Sequence, residues 1–106
     1  MGKKAADLEV QILEIKGRCP VYEKGDVFII REGYKLMVPE GCELCLHGLA
    51  SLLTFSTALS RGITPHALGL GPEDSERAMV QCPDPCERTG GGTVLFGIRR
   101  LSSAGE

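Results

Sequence analysis

The stretch Cys42-Glu43-Leu44-Cys45-Leu46-His47-Gly48-Leu49-Ala50-Ser51-Leu52-Leu53-Thr54-Phe55-Ser56-Thr57-Ala58-Leu59-Ser60 decides the fold class, because helical periodicity is found there and nowhere else in the chain. Steps of ~100° per residue put Leu46, Leu49, Leu52, Leu53 and Leu59 on one broad face and His47, Ser51 and Thr54 opposite it. A helix is expected from about Cys42 to Ser60, ended by Arg61-Gly62 with Pro65 just beyond. Its apolar run, Leu44 to Leu59, is interrupted by His47, Ser51, Thr54, Ser56 and Thr57 and falls short of the ~20 apolar residues of a bilayer span. A core helix in a soluble protein is expected, with no membrane partner.

Outward from this helix the pattern changes to period two. Leu8, Val10 and Ile12 alternate with Glu9 and Gln11, and the phase then slips so that Leu13 and Ile15 flank Glu14, which predicts a first strand with a bulge near Ile12. Gly17 to Lys24 is a turn-rich connection carrying Cys19-Pro20. Val27-Phe28-Ile29-Ile30 is a second strand, and Arg31-Glu32-Gly33-Tyr34 turns the chain into Lys35-Leu36-Met37-Val38 before Pro39-Glu40-Gly41 stops it. Beyond the helix, residues 62–76 are a loop. Ala78 to Cys82 is a strand, Gly90-Gly91-Gly92 a turn, and Val94, Phe96 and Ile98 alternate into Arg99-Arg100 as the last strand.

The expected fold is α+β: a small, mostly antiparallel sheet of four to five strands, free to curl, with one amphipathic helix packed on it. The single helix excludes a doubly wound α/β arrangement. A chain of 106 residues suits one domain, expected over residues 8–101 with 1–7 and 102–106 frayed. Its composition, 42% hydrophobic and 25% charged, fits a globular protein and excludes disorder. A formal charge of -2 leaves no surplus of cations for phosphates, so nucleic acid is not expected as a partner. The N-terminus passes into a strand without an apolar export segment. The expected compartment is therefore cytoplasmic, where thiols stay reduced and five Cys point to metal or reactive chemistry before disulfides.

Cys42-Glu43-Leu44-Cys45 is a CxxC at the expected helix start, and Cys82-Pro83-Asp84-Pro85-Cys86 is a CxxxC at a strand end. Short links let two sulfurs face one centre, as in the paired knuckles that hold tetrahedral metal. Cys42 and Cys45 would lie ~60° apart on the helix, in a first turn whose unpaired N–H groups favour thiolate. Pro83 and Pro85 stiffen the second pair. Against this stands core packing, since free Cys is among the most buried residue types. His47 falls about 160° from Cys45, which prevents the two from sharing an ion unless the helix begins later; a solvated polar face suits it better. His66 reads as a solvated loop residue.

At Pro39-Glu40-Gly41-Cys42, His47, Cys82-Pro83-Asp84-Pro85 and Val94-Leu95-Phe96-Gly97-Ile98-Arg99, extended upstream to Cys19 and Gly25-Asp26, the chain resembles a family of small, functionally uncharacterised proteins of anaerobic bacteria and archaea. The resemblance implies Cys19, Cys42 and Cys82 as the shared thiols, with Cys45 and Cys86 as additions here. Taken together, the expected metal ligands are Cys19, Cys42, Cys45 and Cys82, with His47, Cys86 or an exogenous ligand as alternatives for the fourth place. Zinc and an iron-sulfur cluster both fit such donors.

No catalytic constellation is recognised. The glycine triplet lacks the Lys and Ser/Thr of a phosphate loop, and no nucleophile elbow or triad is present. Three functions follow as expectations. The first is a thiolate-ligated metal or iron-sulfur protein with an electron-transfer or accessory role beside a redox or accessory protein partner. The second is a metal-free interaction module, its cysteines serving as core packing, that contacts a partner or forms a homo-oligomer. The third is a thiol-disulfide enzyme with Cys42 as nucleophile and Cys45 as resolving thiol.

Overall fold

In a computed structural model, which describes residues 5–84, 86 and 88–101, the N-terminal alternation becomes β1 (Leu8–Gly17), followed by β2 (Val27–Arg31) and β3 (Lys35–Met37). The helix α1 (Leu46–Ser60) crosses over to β4 (Arg77–Gln81) and β5 (Gly92–Arg100). The strands form one antiparallel sheet in the order β3-β2-β1-β5-β4. The expected phase slip is a register shift between Ile12 and Glu14 in the β1–β5 ladder. The turn from β2 to β3 is closed by the Tyr34 N–H donating to the Arg31 carbonyl at 3.1 Å.

One face of the sheet carries the core. Leu8, Val10 and Ile12 of β1, Phe28 and Ile30 of β2, Ala78 and Val80 of β4, and Val94, Phe96 and Ile98 of β5 are all buried, as alternation on the pleat requires. Helix α1 lies over β1, β5 and β4. Its buried stripe is Gly48, Leu52, Ser56, Leu59 and Ser60, which keeps Leu52 and Leu59 of the expected leucine face but not Leu46 and Leu53, 77% and 72% exposed. Close approach is the cause. A Cβ placed on Gly48 would lie 2.7 Å from Cζ of Phe96, and one on Gly33 would collide with Ser60. Small residues let the helix settle on the sheet, where leucines would hold it away.

The helix also begins four residues later than expected, at Leu46. Cys45 is extended, with φ −84° and ψ 122°, and its N–H donates to the Tyr22 hydroxyl at 2.9 Å. That tertiary hydrogen bond takes the donor at the helix entrance, so Cys42 lies outside the helix instead of in its first turn. The C-terminus follows expectation. Gly62, with φ 95°, donates to the Leu59 carbonyl and Ile63 to that of Ala58, each at 3.1 Å, the double bond pattern of a left-handed cap.

Residues 5–7, expected to be frayed, are held. Ala6 is buried and donates to the Ser60 carbonyl at 2.9 Å. Asp7 accepts from the Glu32 N–H at 3.0 Å and from the Leu101 N–H at 2.8 Å. The rest of the expected frayed ends, residues 1–4 and 102–106, lies outside the described residues. No helix among the described residues is long and apolar enough to cross a membrane.

The Gly48–Phe96 contact yields a prediction of unusual sign. Gly→Ala inside a helix ordinarily stabilises by up to ~1 kcal/mol, but Gly48→Ala should destabilise by about 1–2 kcal/mol through overpacking. The midpoint of urea unfolding measures it, and a raised midpoint would contradict the contact.

Candidate thiol site

Antiparallel connections alternate between the two ends of a sheet. Those leaving β1, β3 and β4 therefore share one end, and α1 starts there as well, since Cys45 meets Tyr22 of the β1–β2 connection. All five cysteines fall on this end: Cys19 after β1, Cys42 and Cys45 between β3 and α1, Cys82 and Cys86 after β4. None is in a disulfide.

Tyr22 is the hub, a residue to which no sequence motif pointed. Its ring is buried, stacked beside Phe28 at 6.4 Å between centroids and edge-on to Phe96 at 5.7 Å. Its backbone N–H donates to Cys19 Sγ at 3.4 Å, and its hydroxyl accepts the Cys45 N–H. Burial pushes the phenol above its ordinary value. The Cys45 N–H opposes that shift, and the Cys45, Cys19 and Cys82 thiols, in that order, add to it. Cys19 and Cys45, from two separate connections, are thus hydrogen-bonded to Tyr22, and Cys82, from a third, lies in the same core cluster.

The expected ligands divide accordingly. Cys82 is 6% exposed and belongs to the core cluster, with Cys19 and Cys45 partly buried against it. Cys42 is exposed in the loop before α1, where its N–H donates to the Pro39 carbonyl at 3.1 Å. Among the described residues no three His, Cys, Asp or Glu side chains are placed to hold a metal ion together. As they stand, the thiols gather about Tyr22 without enclosing a common centre.

Cys86 departs from the second pair. It has a left-handed backbone, φ 43°, and packs against Gly17, where an added Cβ would meet its Sγ at 2.5 Å. Asp84 organises this loop: its carboxylate accepts from the Thr89 hydroxyl and from the Cys86 N–H at 2.8 Å. These donors, Thr89 foremost, hold its carboxyl below the usual carboxylate range, and His47 adds a smaller electrostatic share. Pro85 lies outside the described residues. The angular objection to His47 joining Cys45 falls away once the helix begins at Leu46, and His47 is exposed beside this end. His66, also exposed, lies in the loop beyond α1, with Nδ1 3.2 Å from the Gly71 carbonyl. Comparison with family models, with curated proteins and with solved structures finds no match for the chain.

Because the folded state holds the Tyr22 proton more tightly than the unfolded chain, its contribution is complete below pH ~10 and is lost as pH rises through the folded value. Tyr22→Phe should flatten this alkaline decline and, at neutral pH, cost about 0.5–1.5 kcal/mol for the lost hydrogen bond. Thermal unfolding of both proteins between pH 7 and about 11 checks it. Parallel alkaline limbs would show that Tyr22 is not responsible.

Proposed function

We propose that this end of the sheet is a thiolate site for a soft metal, zinc or an iron-sulfur cluster, in a small protein with an electron-transfer or accessory role. The observation that supports the reading is that Cys19 and Cys45, hydrogen-bonded to Tyr22, and Cys82, in the same core cluster, come together from connections far apart in sequence. Thiolates are the donors that soft metals select. Cys42, exposed on the adjoining loop, is the natural fourth donor, with His47 or Cys86 able to take its place. The thiols do not enclose an ion in the arrangement described, so the reading requires loop 38–45 to move and the three inner thiols to turn toward one another. When bound, the metal would supply a redox centre as a cluster or a structural clamp as zinc. The chain itself would contribute thiolates, the buried Phe28–Tyr22–Phe96 wall, and exclusion of water on the core side.

A second reading is favoured by the burial of Cys82 within the aliphatic core: a metal-free interaction module in which the cysteines pack. The two differ at Cys82. Under the metal reading, anaerobically purified protein contains zinc or is brown with visible absorption, and Cys82→Ser and Cys82→Ala both lose metal and stability together. Under the packing reading the protein is metal-free, and Cys82→Ala costs only about 1 kcal/mol, as an ordinary core truncation. Elemental analysis, the anaerobic spectrum and unfolding curves of the three proteins decide between them, and a stable, metal-free native protein would sink the first reading.

A further inference from the structure

Tyr22 carries two hydrogen-bond donors, and the fold uses one of them. Its backbone N–H donates to Cys19 Sγ at 3.4 Å. Its hydroxyl oxygen accepts the Cys45 N–H at 2.9 Å, but a phenol also has a proton to give, which stays on the oxygen at neutral pH. Among the described residues no acceptor takes that proton. Tyr22 is only 5% exposed, and buried polar groups are nearly always paired. A spare donor in so buried a residue, at the end of the sheet where the thiols lie, calls for an acceptor.

The sulfur of Cys45 is the candidate. It stands three bonds from the nitrogen that the hydroxyl already holds, and rotation about χ1 moves it between staggered positions nearer to or farther from the phenol. A neutral thiol sulfur is a weak acceptor, whereas hydrogen bonds to an ionised acceptor are roughly twice as strong as neutral ones. The donor therefore gains its partner only when Cys45 becomes a thiolate, as a metal ligand must be.

We propose that Tyr22 is the positioning residue of the metal site, its O–H donating to the Cys45 sulfur once that sulfur is ligated, alongside the N–H it already gives to Cys19. The inference rests on the thiolate reading above and adds to it what orders the ligands. Phe28 and Phe96 fix the Tyr22 ring, so the phenol is the stationary partner and the sulfur the one that turns. Groups that orient ligands in this way change metal affinity by about 10–100-fold when removed. Hydrogen bonds to sulfur also tune the potential of a cluster, so the same proton would adjust an electron-transfer centre.

Cobalt(II) titration of the reduced chain, read at the sulfur-to-cobalt charge-transfer band, tests the role. Tyr22→Phe keeps the ring, and it should weaken cobalt binding about 10–100-fold. It should also move the band to longer wavelength, because a sulfur that loses its hydrogen bond releases charge to the metal more readily. Phe28→Leu loosens the same wall without removing the donor and should leave the band in place. In Cys45→Ala, where the acceptor is gone, adding Tyr22→Phe should change affinity by no more than roughly twofold. The chain has two tyrosines, and Tyr34 is 70% exposed. Tyr34→Phe grown on 3-fluorotyrosine thus carries a stronger donor at position 22 alone, and its band should shift to shorter wavelength, a reading that does not need Tyr22→Phe to fold. A native chain without thiolate–cobalt bands overturns the site and this role together. Four results overturn the role of Tyr22 and leave the thiolate site standing: bands and affinity unchanged in Tyr22→Phe, an equal band shift in Phe28→Leu, the full Tyr22→Phe loss persisting in Cys45→Ala, or no response to the fluorinated phenol.

Discussion

The constraint on which the arrangement depends is the alternation of connections in an antiparallel sheet. β1, β3 and β4 run one way and β2 and β5 the other, with α1 carrying the chain back between β3 and β4, so the chain visits the same end after β1, after β3 and after β4. Cysteines separated by tens of residues are thereby collected at one end without a specific long-range attraction between them. Tyr22 completes the arrangement from the core side. It is wedged between Phe28 and Phe96, and its hydroxyl sets where the helix can begin by holding the Cys45 N–H. The thiol end and the helix start are therefore one structure.

A second constraint is width. One helix of fifteen residues covers part of a five-stranded sheet, and the part it covers is chosen by small residues. Gly48 against Phe96 and Ser60 against the Gly33 turn draw α1 down at its two ends. Burying these small residues turns Leu46 and Leu53 outward. The exposed leucines are thus the counterpart of close helix–sheet packing, and the edge strand β3 is exposed along its length.

Much of this was legible in the sequence, because it rests on local rules. The five strands, the bulge after Ile12, the turn at Arg31–Tyr34 and the cap at Gly62 are each encoded by residues within a few positions of where they occur. The helix start was not, because Cys42 to Cys45 continue the helical pattern and only a hydrogen bond from Tyr22, distant in sequence, ends it. The buried face of the helix was legible only in part, at Leu52 and Leu59. Counting leucines favours Leu46 and Leu53, while the contact that decides orientation is between a glycine and a phenylalanine on another strand. Of the site, the sequence indicated the cysteines and gave no sign of Tyr22, whose place as hub arises from burial among rings contributed by other elements. The left-handed backbone at Cys86 and the contact of its sulfur with Gly17 were likewise not legible in the CxxxC spacing.

The central claim, that Cys19, Cys45 and Cys82 act as one thiolate site, is tested most directly by titrating the reduced, metal-free chain with cobalt(II) under anaerobic conditions. The account predicts saturation at one equivalent, with the intense visible bands of tetrahedral cobalt bearing thiolate ligands, weakened by Ser at position 19, 45 or 82 and retained in Cys86→Ser. Absence of those bands in the native chain, or their persistence when any one of the three thiols is removed, would contradict it.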